Sequence, residues 1–263
     1  MMLSLTAFDT LKNQIICTDL LTLCGALPSQ SVDMILCDLP YGTTACHWDS
    51  IIPLEPMWEQ FKRVIKPRGA IVLTASQPFT SKLVMSAIDW FRYEWMWQKN
   101  VGSNFLNAKK EPMKEHENVL IFADSYPPYY QQKISRMDAS RARYKYKGQK
   151  NIKSDSYGDF NFKDRMTSDL EWRVPSSVLF FNRDVGLHPT QKPVALFEYL
   201  IRTYMQPGQL VLDPCIGSGT TAIAARQTGR HFIGGDITQE YVQVARARLA
   251  KPYTPPLFLD EAI

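Results

Sequence analysis

Read for its apolar and polar positions, the chain alternates short apolar runs with segments whose apolar residues recur at helical spacing. The runs at 14–18, 32–37, 70–74, 93–98, 118–123, Leu210–Asp213 and His231–Asp236 are brief and nearly unbroken, the pattern of strands buried on both faces. Segments at 54–65, 78–90, 194–205, 220–228 and 239–249 predict helices. In the first of them Met57, Trp58, Phe61, Val64 and Ile65 fall at near-helical spacing. The second opens with a proline, which a helix tolerates in its first turn. Strands alternating with helices predict an α/β fold with a doubly wound, mostly parallel, seven-stranded sheet. Only a polar loop, 99–117, separates the runs at 93–98 and 118–123, which predicts an antiparallel hairpin at the sheet edge. No internal repeat is present, and the prolines at 252, 255 and 256 read as a frayed tail.

Between 124 and 185 the regular pattern gives way to a polar, weakly periodic stretch, an insert that leaves 1–123 and 186–263 as two halves of one domain. Charge sharpens that division. The net charge of +4 is mild, but residues 125–183 hold twelve Lys or Arg against six Asp or Glu, so this stretch carries +6 and the remainder −2. Eleven aromatic residues share the stretch, and Arg141, Arg143, Lys145 and Lys147 interleave with Tyr144 and Tyr146. Cations that neutralise phosphates beside rings that stack on bases suit a nucleic-acid surface. On these residues alone, a solvated basic loop over a small aromatic cluster accounts for them equally well.

Composition removes several classes. With 45% hydrophobic and 21% charged residues the chain is neither disordered nor collagen-like. No apolar run approaches the length of a membrane span, and the first residues lack the basic-then-apolar order of a secretory signal. The five cysteines, Cys17, Cys24, Cys37, Cys46 and Cys215, form no C-x-x-C pair, which argues against a disulfide framework or zinc ribbon and suits a reducing cytoplasm. The four histidines, His47, His116, His188 and His231, are widely spaced, so no metal site is expected.

Two places carry chemistry. The apolar run Leu210–Asp213 ends in a carboxylate and is followed by Pro214, Cys215, Gly217, Ser218, Gly219, Thr220 and Thr221, a glycine loop opening a helix. Glycines let the backbone pass close to a ligand, and helix N-terminal amides favour an anionic group. The next strand ends in a second acid, Asp236, placed to accept hydrogen bonds from ribose hydroxyls. Such an arrangement suits a nucleoside cofactor, although it is neither a phosphate-binding P-loop nor a full dinucleotide fingerprint. A tight turn needing glycine only for packing is the alternative. The second place is the run 32–37 followed by Asp38, Leu39, Pro40 and Tyr41. Here a buried strand delivers an acid able to accept from an amino group. Pro40 keeps Leu39 extended so that its carbonyl can face a ligand, and a planar ring follows. An Asx-Pro turn with a packed tyrosine gives the same residues.

Taken together, D-L-P-Y resembles the D-P-P-Y catalytic motif of the amino-methyltransferases, and D-P-C-I-G-S-G-T-T resembles their S-adenosylmethionine-binding motif. The order, with the catalytic motif first, the basic insert next and the cofactor motif last, resembles the permuted β class of DNA amino-methyltransferases of phage and restriction–modification systems. His188, Thr190 and Lys192 stand in a segment similar to the family block before the cofactor strand, and His116–Glu117–Asn118 resembles another block. Asp19 matches the strand-end acid that contacts the cofactor adenine. One departure is Leu39, where the family has proline; the backbone carbonyl survives the change with less local rigidity.

The resemblance implies a circularly permuted Rossmann-like methyltransferase fold, with a catalytic half (1–123), a target-recognition insert (124–185) and a cofactor-binding half (186–263). It implies that Asp19, His188, Thr190, Lys192, Asp213, Pro214, Cys215, Gly217, Ser218, Gly219, Thr220, Thr221 and Asp236 bind S-adenosylmethionine. Asp38 and the Leu39 carbonyl would accept from a target amino group, Pro40 would stiffen the loop, and Tyr41 would stack on a base flipped from duplex DNA. Lys99, Lys109, Lys110 and Lys114, with Arg141, Arg143, Lys145 and Lys147, would hold phosphates. Transfer is direct and in line, so Cys37, Cys46 and Cys215 are read as packing thiols. An acid as first motif residue favours the 6-amino group of adenine over the 4-amino group of cytosine. Glutamine methylation, a catalytically silent DNA-binding regulator and a nicotinamide oxidoreductase are the remoter readings. Double-stranded DNA is the expected partner, no membrane is involved, and a homodimer or a cognate restriction nuclease is left open.

Overall fold

The computed structural model of the chain describes residues 5–42, 51–135, 153–154, 158–159, 172–184 and 191–252. In chain order the first half contains α1 (Leu5–Leu11), β1 (Gln14–Cys17), α2 (Leu20–Ala26), β2 (Val32–Asp38), α3 (Leu54–Val64), β3 (Ile65–Ala75), α4 (Phe79–Met85), β4 (Phe91–Ser103) and β5 (Lys114–Phe122). Four two-residue strands follow: β6 (Ile134–Ser135), β7 (Lys153–Ser154), β8 (Gly158–Asp159) and β9 (Trp172–Arg173). The rest comprises β10 (Val178–Phe180), α5 (Val194–Tyr204), β11 (Leu210–Asp213), α6 (Thr220–Gln227), β12 (His231–Asp236) and α7 (Gln239–Ala250).

The chain divides into two compact units, 131–176 and the remainder. Within 131–176, β6 pairs with β9 and β7 with β8, both antiparallel. The larger unit is built on one eight-stranded sheet in the order β1-β12-β11-β2-β3-β5-β4-β10. Every neighbouring pair is parallel except those made by β5, which runs against both β3 and β4.

Residue alternation explains why the strand runs are apolar on both faces. In β2, Ile35 and Cys37 face one core layer with the leucines of α2, Met57, Trp58 and Phe61 of α3 and Phe79 of α4. Met34 and Leu36 face the opposite layer with Leu196, Phe197 and Leu200 of α5, the alanines of α6 and Val242 of α7. The sheet is thus covered on both sides and its parallel strand ends are left open along one edge.

All seven anticipated strands are present, as is the α/β class. The antiparallel relation of β4 and β5 is also present, with Trp95 opposite Val119 and Trp97 opposite Glu117. The pair is not at the edge, however. β10 adds outside β4, Val178 lying beside Met96, so the sheet has eight strands and its last one comes from the stretch read as insert. A three-residue strand has too little periodicity to be read from sequence. For the same reason the seven-residue helices α1 and α2 were not anticipated. The helix expected at 78–90 ends at Met85, and its continuation is a series of tight turns in which Ala87 donates to Val84 and Trp90 to Ala87. No helix among the described residues is long and apolar enough to cross a membrane.

Candidate active site

The carboxyl ends of β11, β12 and β2 carry Asp213, Asp236 and Asp38, and Asp19 lies just beyond β1. Because β5 runs the other way, its early residue Glu117 arrives at this same end of the sheet, opposite Trp97 of β4. All five acids line one cavity of about 620 Å³. Leu39, Pro40, Tyr41, Lys99, Lys114, Lys192, Pro214, Cys215, Gly217, Ser218 and Thr220 line it too. The two motifs, separated by most of the sequence, therefore share one chamber at the open ends of the parallel strands, where α/β sheets bind ligands.

The glycine loop is held from below by its own acids. Asp213 accepts from the Cys215 amide at 3.1 Å and from the Thr221 hydroxyl. Burial pushes the Asp213 carboxyl up to about 7, partly offset by those two bonds. Thr221 is wholly buried, so its hydroxyl braces the loop rather than meeting a cofactor. Asp236 accepts from the Gly217 amide at 2.9 Å and the Thr238 amide at 2.8 Å. Gly217 and Gly219 take φ of +50° and +85°, a region costly for residues with a Cβ. At Gly219 a Cβ would sit 2.9 Å from that of Ala245, which is how α6 and α7 approach so closely. Asp19 caps α2, accepting from the Thr22 amide at 2.9 Å and its hydroxyl at 2.5 Å; these bonds hold its carboxyl below the ordinary range.

At the other motif, Asp38 Oδ1 accepts from the Tyr41 hydroxyl at 2.7 Å and from the Thr74 hydroxyl, Thr74 being its register partner on β3. Oδ2 accepts from Lys192 Nζ at 2.6 Å. The same ammonium lies 3.3 Å from Glu117 Oε2, and Glu117 Oε1 lies 2.6 Å from Lys99 Nζ. The result is an alternating chain, Asp38–Lys192–Glu117–Lys99, at the cavity wall. Burial alone would lower the Lys192 pKa, but Asp38 and Glu117 more than offset it and hold the ammonium above its ordinary range. Burial would raise Glu117, and Lys192 with Lys99 outweigh it and hold the carboxyl low.

Several expected roles change on this geometry. Lys99 is only 8% exposed and paired with Glu117, so it braces the wall rather than meeting a phosphate. Lys192 reaches the D-L-P-Y acid, and only its carbonyl, accepting from Thr220 at 3.2 Å, touches the glycine loop. The Tyr41 ring already stacks on Phe79, centroids 5.5 Å apart, with Lys192 Nζ 5.5 Å from its centre. Its hydroxyl orients Asp38, and burial with the Asp38 charge keeps that phenol protonated. The Leu39 side chain is buried in the core, so the residue standing in place of proline adds packing. Lys109 and Lys110 are exposed on the arm joining β4 and β5, and Lys114, also exposed, opens β5 at the cavity wall. His188, Thr190, Arg141, Arg143, Lys145 and Lys147 lie outside the described residues, as do Cys46 and His47. Thr74 and the bracing role of Glu117 were not anticipated. A polar residue in an otherwise apolar run was the one available sign of Thr74.

A family model described as DNA methylase matches residues 32–247 of the chain. The type II methyltransferase M.HpaI of Haemophilus parainfluenzae is 27% identical, the match covering 95% of this chain and 78% of that protein. The type II methyltransferase M.BglII of Bacillus subtilis is 29% identical, covering 89% and 68% respectively. Among solved structures, a complex of M1.HpyAVI with S-adenosylmethionine has a TM-score of 0.60 at 24% identity, over 90% of this chain and 99% of that one. The cytosine-N4-specific PvuII DNA methyltransferase has a TM-score of 0.62 at 16% identity, over 90% and 86%. The family match spans both motifs and every strand of the sheet that unites them except β1, and the chain belongs to the N6/N4 DNA methylase family: it is a DNA amino-methyltransferase.

Proposed function

We propose that the chain methylates the 6-amino group of adenine in duplex DNA, with S-adenosylmethionine as methyl donor. The observation that carries the amino-group reading is the carboxylate of Asp38, fixed at the cavity wall by three donors; an acid as first motif residue is what favours adenine over cytosine. An ionised carboxylate offers about four acceptor positions. Tyr41, Thr74 and Lys192 take three of them, and the remaining one, on Oδ2, is directed by its neighbours and able to accept from an exocyclic N–H. Accepting that hydrogen bond withdraws the nitrogen lone pair from conjugation with the ring and exposes it for attack. A second acceptor, the Leu39 carbonyl, follows in sequence and would fix the plane of the base. Preorganised acceptors of this kind cost no reorganisation as charge develops.

The residues present fit the donor. Gly217 faces open space, the Asp236 carboxylate keeps acceptor positions beyond its two amide bonds, and Gln191 Oε1 is buried on the cavity wall with no hydrogen-bond partner among the described residues. Asp236 and the loop at 214–220 would hold the donor, and Asp19 would meet its base. When bound, S-adenosylmethionine supplies an electrophilic methyl group on a sulfonium. Asp236→Ala is expected to weaken its binding by about ten- to a hundredfold, the loss of hydrogen bonds to a charged group. Isothermal titration checks this, and unaltered affinity would count against the ribose role.

The exposed lysines of the β4–β5 arm, and the basic residues at 141–147, would meet phosphates. Incubating the protein with bacterial genomic DNA and donor, then digesting to nucleosides for mass spectrometry, tests the base assignment. N6-methyladenine is the expected product; N4-methylcytosine in its place overturns the adenine reading.

A further inference from the structure

The arm between β4 and β5 displays large apolar side chains to solvent. At its tip a short 3-10 turn, Phe105–Asn107, follows Asn104 in the left-handed region at φ 70°. Polar side chains bond to one another across it: Asn104 Nδ2 donates to Glu111 Oε1 at 2.6 Å, and Asn107 Nδ2 donates to Asn104 Oδ1 at 2.8 Å. Backbone bonds from Lys110 and Glu111 to the Asn107 carbonyl close the turn. The apolar side chains point outward. Phe105 is 72% exposed and Leu106 84%, with Val101 and Met113 exposed on the two arms below. Large apolar groups displayed on a hydrogen-bonded tip mark a contact surface.

Two features select the partner. The tip is flanked by Lys109 and Lys110, which suits a polyanion. The arm is also continuous with the active-site cavity, since Ser103 and Lys114, joined by a bond from Ser103 Oγ to the Lys114 carbonyl at 3.2 Å, are cavity wall residues. The tip thus projects from a wall of the cavity that would receive the target base. We propose that Phe105 and Leu106 form a wedge that enters the base stack of the bound duplex and fills the gap left by the extruded target base. This rests on the proposed DNA reaction. Flipping costs stacking and pairing energy, and an apolar group in the vacated space both drives extrusion and delays the base's return.

The test uses the full chain, its Phe105→Ala/Leu106→Ala variant and two duplexes that carry the site located by sequencing methylated DNA. One duplex is fully paired and the other has an abasic position opposite the target. On the paired duplex the variant should methylate about tenfold or more slowly, because the opening energy is no longer offset. On the abasic duplex it should come within about threefold of the parent, since no pair remains to break. Duplexes with 2-aminopurine at the target should show a matching loss of fluorescence increase for the variant. Retained thermal stability and donor binding confirm that the variant is folded. Equal loss on both duplexes, or no loss on either, overturns the wedge. A change in oligomeric state on sedimentation overturns it as well, by assigning the patch to contact between copies. Failure of the parent chain to methylate DNA would refute the underlying reaction instead, and is distinguishable because the parent is measured first.

Discussion

Asp38→Asn is expected to slow methyl transfer by about two to four orders of magnitude while donor affinity stays within about threefold. The size follows from the arrangement of donors around the carboxylate. Tyr41 and Thr74 present hydroxyls to one oxygen and Lys192 presents an ammonium to the other. An amide keeps its oxygen toward Lys192 only by turning its NH2 to Tyr41 and Thr74, whose hydroxyls then accept instead of donating. The acceptor left for the target amino group is then uncharged and a weaker partner than the carboxylate. The binding determinants for the donor lie elsewhere, on Asp236 and the glycine loop. Single-turnover transfer of a radiolabelled methyl group, read beside calorimetric binding of S-adenosylmethionine, separates the two effects. A variant with parental rate would remove Asp38 from the mechanism.

Lys192→Met is expected to reduce turnover by about ten- to a hundredfold and to move the acid limb of the pH–rate profile upward. The ammonium is 6% exposed and stands between two carboxylates, so its removal leaves Asp38 and Glu117 facing each other across a buried site. Burial then raises Glu117 with only Lys99 to oppose it. The parent's Glu117 pKa is depressed, so its pairing stabilises the fold above the unfolded value of 4.5 and is lost as pH falls through the folded value. In the variant that loss begins at higher pH. Adding Glu117→Gln to Lys192→Met removes one of the facing charges and should recover part of the stability and shift the profile back. Lys192 acts here as a positioning residue for Asp38. A purely structural part would lower thermal stability and leave the shape of the pH profile unchanged.

The strands that deliver the acids were legible because each is a short apolar run that stops at a carboxylate, as in Leu210–Asp213 and Val32–Asp38. That pattern also located the open end of the sheet. The partners of those acids were not legible. Lys192 lies 154 residues from Asp38 and Thr74 lies 36 away, and only sheet order and register bring them together. Lys99 reads as a surface charge in sequence because sequence reports charge and not depth. β10 escaped notice because three residues carry no period, and the reversal at β5 places Glu117 where a parallel strand would have left a loop.

The sheet order has a consequence for synthesis. β1, made before the other strands of this sheet, has a single sheet neighbour among the described residues, β12, with Gln14 beside Ile233. β2 likewise waits for β11 on one side, Val211 lying beside Met34. As the chain leaves the ribosome, the N-terminal strands therefore emerge well before the segments that cover their edges. Pairings this distant in sequence are slow to close, and apolar strands with open edges are vulnerable to aggregation in the interval. A nascent chain halted before residue 231 has the catalytic acid but lacks β12, so the edge of β1 stays open until that strand is made.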